Sequence, residues 1–135
     1  MKKNEIKIRE LTRAEEQVMQ VLWKIEKGMV NDILRRFPDP KPAYNTVSTV
    51  TRILEQKGFV DHKAYGHTHQ YFPLISRKDY TRLYLSNFLQ NYFENSFQSL
   101  ASFFAKEEKP SLQELEEIQK LIGQEINLQK NQSHE

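Results

Sequence analysis

The stretch that decides the fold is Pro42-Ala43-Tyr44-Asn45-Thr46-Val47-Ser48-Thr49-Val50-Thr51-Arg52-Ile53-Leu54-Glu55-Gln56-Lys57-Gly58. Proline suits a first helical position and glycine the position just past a helix end, so the run is predicted as a helix over about 42–57. At 100° per residue, Ala43, Val47, Val50, Thr51 and Leu54 share one side, while Asn45, Ser48, Thr49, Arg52 and Gln56 share the other. The outward side carries no acid. It offers short hydrogen-bonding groups and one guanidinium, the groups that pair with base edges in a major groove.

Upstream, Thr12-x-x-Glu15 is a capping box with Leu11 before it, and Ala14, Val18, Val21, Leu22 and Ile25 recur at helical spacing behind it. A short helix over about 31–37 follows, with Ile33, Leu34 and Phe37 as its apolar side, and Pro38-Asp39-Pro40-Lys41-Pro42 breaks it. Downstream, residues 58–65 and 68–72 alternate like strands around Gly66, which predicts a β-hairpin. Gly28, Gly58, Gly66 and Gly123 are read as punctuation, in turns or near helix ends. Helix, short helix, longer helix and hairpin is the order of a winged helix-turn-helix. The remainder is helical, opening at Ser76-x-x-Asp79 and again at Ser111-x-x-Glu114. The fold class is therefore mainly α with a small β-hairpin. Residues 1–75 form a winged-helix DNA-binding domain, 76–126 a helical dimerisation region, and the polar residues 127–135 a frayed, disordered tail.

In a helix-turn-helix, early residues of the third helix reach the bases, and nearby cations and amides hold phosphates. The candidate DNA-binding residues are Thr12, Arg13, Lys41, Tyr44, Asn45, Thr46, Ser48, Thr49, Arg52, Lys63, His67 and His69. His67-x-His69 faces His62 across the hairpin, but with no carboxylate at matching spacing and no cysteine these imidazoles are read as wing contacts, not metal ligands. No catalytic motif and no cofactor motif is present, and the chain is read as a non-enzyme.

The chain of 135 residues has 38% hydrophobic and 28% charged residues and a net charge of +2. Residues 1–74 hold 13 Lys/Arg against 9 Asp/Glu, and residues 75–135 hold 7 against 9, so one half is suited to a polyanion. Zero cysteines exclude a disulfide scaffold and a thiolate metal site. A charged N-terminus with no apolar stretch behind it reads as no signal peptide, and no window reaches the roughly 20 apolar residues of a membrane span. A soluble, cytoplasmic protein is expected, with no membrane insertion.

Eight of the fifteen aromatics fall between Tyr80 and Phe104, where only Arg82 and Glu94 are charged. Two or three helices cannot wrap so many large side chains alone, and such a surface predicts an interface, for which two-fold self-association is the common solution. Tyr80, Leu83, Tyr84, Phe88, Tyr92, Phe93, Phe97, Leu115, Ile118, Leu121 and Ile122 are the candidate homodimer contacts. The competing class is a protein-interaction module whose aromatic helices dock a different chain without sequence-specific DNA binding.

Three blocks carry a resemblance: Leu11-Thr12-x-Ala14-Glu15-x-x-Val18-Met19-x-x-Leu22-Trp23, Thr46-Val47-x-Thr49-Val50-x-x-x-Leu54-x-x-Lys57-Gly58-Phe59-Val60, and His69-Gln70-Tyr71-Phe72-Pro73-Leu74. In order and spacing, over about 8–124, they resemble the BlaI/MecI/CopY penicillinase repressor family. The resemblance implies a dimeric winged-helix transcriptional repressor bound to a double-stranded DNA operator, tied to antibiotic-resistance regulation. Thr46 matches the family's helix threonine, whereas Asn45 and Ser48 stand where relatives often carry basic groups. The copper-responsive branch's C-terminal cysteines are missing. For the β-lactam-responsive branch the resemblance implies cleavage at Phe103–Phe104, where Phe103 replaces Asn, and a membrane-bound sensor protease as partner.

Overall fold

The computed structural model describes residues 11–133. Helix α1 (Arg13–Ile25) starts on the predicted box: the Glu15 amide donates to Thr12 Oγ1 at 3.2 Å and the Thr12 amide donates to Glu15 Oε1 at 2.9 Å. Its buried side is Glu15, Val18, Met19 and Leu22. That is rotated from the expected stripe: Ala14 is exposed, and Val21 and Ile25 are half-buried. Glu15 lies on the same face as Val18, Met19 and Leu22, and its buried carboxylate is paired with Lys57 at the end of another helix.

Helix α2 (Val30–Arg35) is shorter than the predicted 31–37. Asp32 caps it by accepting from the Met29 amide at 2.9 Å. At its far end Lys41 Nζ donates to the Phe37 carbonyl at 2.6 Å and the Arg35 carbonyl at 3.4 Å, satisfying carbonyls that the helix leaves open. Helix α3 (Tyr44–Gln56) buries Val47, Thr51 and Leu54 as expected, while Ala43 is its exposed cap residue. The wholly buried Thr51 hydroxyl donates to the Val47 carbonyl at 2.7 Å. The helix ends in a Schellman turn, with Phe59 N–H bonded to Leu54 O (2.9 Å) and Gly58 N–H to Glu55 O (3.0 Å). Gly58 sits at φ 87°, where a side chain would be strained.

Strands β1 (Val60–Tyr65) and β2 (Thr68–Pro73) pair antiparallel, Val60 opposite Pro73 and Tyr65 opposite Thr68. A further rung joins Gly28 to Tyr71 by two hydrogen bonds of 2.9 and 2.8 Å. A Cβ at Gly28 would lie 2.7 Å from Ile25 Cδ1 and 3.1 Å from Asp32 Cβ, so the end of the Ile25 side chain would have to move aside. The left-handed residue after α1 is instead Glu26, at φ 73°.

Two compact units divide between Asn87 and Phe88, within helix α4 (Arg77–Phe93), twelve residues later than composition suggests. The reason lies in α4's first turns. Tyr80 is only 6% exposed and packs beside Trp23 and Phe59, with ring centroids 5.8 and 6.0 Å away. Trp23 Nε1 donates to the Ile75 carbonyl at 2.9 Å. The core of the first unit is Val18, Met19, Leu22, Ile33, Val47, Leu54, Phe59, Val60 and Tyr71, closed by Tyr80.

In the second unit, α4 stops where Glu94 and Asn95 adopt φ 50° and 65°. Ser96 then caps helix α5 (Phe97–Glu107), and Ser111 with Glu114 boxes the start of helix α6 (Leu112–Ser133). Neither α5 nor α6 has a buried residue. Helix α6 runs on through Ser133, correcting the expectation of a frayed, disordered tail over 127–133; residues 134–135 lie outside the described residues. Ile126 and Leu128 continue its apolar content, and Gly123 lies inside it, not near its end.

Candidate nucleic-acid interface

Helix α3 sits with one flank in the core and the other outward. Tyr44, Asn45, Thr46, Thr49 and Arg52 are exposed and Ser48 is half-buried. Between α2, α3 and the hairpin lies a groove of about 350 Å³, into which Tyr44, Ser48 and Arg52 of α3 project with His67 and His69 of the hairpin. Of the sequence-predicted contacts, these five converge on the groove. Asn45, Thr46 and Thr49 lie on the exposed surface of α3 outside it, and Thr12 and Arg13 are exposed at the start of α1.

The remaining candidates have other neighbours. The Lys41 ammonium is occupied by the carbonyls after α2 and lies 3.6 Å from Asp39. The Thr12 amide is engaged by Glu15. Lys63 lies over the Tyr65 ring at 5.5 Å, on the hairpin face opposite His62, His69 and Tyr71. His67 is in the turn itself, so it does not share a strand face with His69.

Arg35 and Asn31 of α2 also line the groove and were not apparent in the sequence, since α2 is too short to show a periodic outer face. Arg35 is held toward Asp32 at 3.2 Å. Arg52 has no acidic partner within salt-bridge distance among the described residues, which leaves its guanidinium available. At the groove's floor, burial pushes the Tyr71 hydroxyl pKa up, the Glu55 carboxylate adds to that, and Arg52 opposes it. Tyr71 is therefore a neutral hydrogen-bonding group.

The position of α3 is set from behind. Lys57, its C-cap residue, places Nζ 2.9 and 2.8 Å from the two carboxylate oxygens of Glu15. Burial pushes the Glu15 carboxyl up, but the Lys57 hydrogen bond, the Thr12 amide and the Lys57 charge outweigh it, and the pKa is lowered.

Three helices and a hairpin in this order, with an outward third helix, define a winged helix-turn-helix protein. The profile of the penicillinase repressor family matches residues 11–124, and the chain belongs to that family; it is a transcriptional regulator of the repressor type. It is similar to the methicillin resistance regulatory protein MecI of Staphylococcus aureus strain N315, 28% identical over 115 residues, covering 84% of this chain and 94% of that protein. The MecI of Mammaliicoccus sciuri is 27% identical over the same shares. The penicillinase repressor of Bacillus licheniformis is 25% identical over 125 residues, covering 92% of this chain and 98% of its own. Among the described residues, no helix is long and apolar enough to cross a membrane.

Proposed function

We propose that the chain is a homodimeric repressor that occupies a dyad-symmetric operator, docking α3 in the major groove of each half-site while the hairpin meets flanking phosphates. The observation that carries this reading is the outward flank of α3. It offers Tyr44, Asn45, Thr46, Thr49 and Arg52, which has no acidic partner among the described residues, beside a groove lined by His67 and His69 and, on α2, by Arg35 paired with Asp32. Asn pairs with adenine, Arg with guanine, and a Thr methyl meets a thymine methyl. The relatives' names point to penicillin- and methicillin-resistance determinants as the regulated genes.

Pairing of two copies falls to the second unit. Tyr92, Phe97, Leu121 and Ile122 are exposed, Phe97 at 65% and Leu121 at 64%, which is far from the burial such side chains reach in a core. Phe88, Phe93 and Leu115 are half-buried and Ile118 exposed, so they border the same reading; Leu83 and Tyr84 lie at the end of the first unit, and Tyr80 is core. Relief would come through cleavage at Phe103–Phe104 by a membrane-bound sensor protease. Both residues are exposed on α5, which buries nothing and so opens at little cost.

Selection of bound sequences from a random DNA pool, read together with salt dependence, tests the proposal. An enriched palindrome whose binding falls steeply between low and moderate salt supports it. No enrichment, with salt-insensitive capture of another protein, replaces it with the interaction-module reading.

A further inference from the structure

We infer that Glu55, Asp61 and His62 form a binding site for a divalent transition-metal cation of the Zn2+ type, at the joint between α3 and the wing. Glu55 closes the last turn of α3, and Asp61 and His62 open β1. The Schellman turn at Gly58 folds the chain back so that one ligating atom from each residue lies within 4.8 Å of the other two. Two carboxylates and one imidazole are ordinary donors for such ions, at about 2.0–2.2 Å each. Glu55 Oε2 and His62 Nδ1 stand 2.6 Å apart. Opening that pair to roughly 3.3 Å, the spacing of donors around a tetrahedral ion, is a small side-chain movement.

The charge balance also favours a cation. Among the described residues neither Glu55 nor Asp61 has a lysine or arginine within salt-bridge distance, so two carboxylates converge on one imidazole with nothing else to neutralise them. The groups are oriented in advance. The His62 amide donates to Asp61 Oδ1 at 2.7 Å, and the His69 ring stacks on His62 with centroids 3.9 Å apart and planes 8° from parallel. Such outer contacts fix ligand orientation. Glu55 and His62 are half-buried and Asp61 is exposed, so the ion would keep a water-filled position toward solvent.

Titrating the full, DNA-free chain with Zn2+ by calorimetry, and with Co2+ by absorption, tests the site. One equivalent per chain is expected, with the Co2+ bands of a four-coordinate N/O site. His62→Ala and Asp61→Asn should both remove that equivalent, and His67→Ala, in the wing turn, should leave it. Circular dichroism reports whether each variant is folded; Asp61→Asn alters an exposed side chain and serves if His62→Ala is not. Absence of a one-to-one complex, or its survival in Asp61→Asn, overturns the inference. Because the readout needs no DNA, its failure leaves the repressor reading intact.

Discussion

Glu15 and Lys57, 42 residues apart, are joined by two hydrogen bonds of 2.9 and 2.8 Å, so the first turn of α1 is pinned to the end of α3. The carboxylate is buried, while the ammonium side is 42% exposed. The pair therefore keeps part of its attraction screened by water.

Glu15→Ala removes this tie and half of the capping box. A loss of about 1–3 kcal/mol in urea unfolding is expected. Because the folded-state pKa of Glu15 is lowered, its contribution is present above the ordinary value of 4.5 and is lost as pH falls through the folded-state value. Wild-type stability should accordingly drop more steeply on acidification than that of Glu15→Ala, and parallel curves would refute the assignment.

Arg52→Ala should weaken operator binding by about 1–3 kcal/mol and relax preference at one base pair of each half-site, if the guanidinium meets a base. Competition against scrambled DNA separates the outcomes. An equal loss on both sequences makes Arg52 a phosphate contact.

Leu121→Asp, on the exposed face of α6, should shift the full chain from dimer to monomer in sedimentation at micromolar concentration. It should leave the unfolding of the first unit unchanged, because no core residue is touched. A fragment ending at Asn87 should remain folded and monomeric. Ending at Leu74 instead would remove Ile75 and Tyr80, and with them the partners of Trp23.

Gly58→Ala places a side chain at φ 87° in the turn that ends α3. A cost of about 1–3 kcal/mol is expected in thermal or urea unfolding. A neutral result would mean that the turn relaxes without disturbing β1.

The fold was readable wherever a local rule governs. The Thr12, Ser76 and Ser111 caps, the proline break and the α3 periodicity all act within four or five residues. What escaped is non-local. The Glu15–Lys57 tie needs α1 and α3 already packed, and Glu15 shares the buried face of α1 with Val18, Met19 and Leu22 while Ala14 points outward. Tyr80 carries the same aromatic signature as Tyr92, and only its position beside Trp23 makes it core. Asn31 and Arg35 lie on a helix too short to show a pattern. Glu55 is six residues from Asp61 along the chain, and the Gly58 turn, not spacing, brings it to His62. The continuation of α6 from residue 127 to Ser133 is hidden by the polar composition of that stretch, which carries little apolar periodicity.

The two hydrogen bonds between Gly28 and Tyr71 stitch the hairpin to the loop ahead of α2. The base of the wing is thereby tied to the domain, while its tip at Tyr65–Thr68 is exposed. On the reading proposed above, a duplex docking here would meet a wing already tied at its base, so less of the entropy of ordering it would fall on the binding step. Discrimination between operators should then reside in how long complexes last and little in how fast they form.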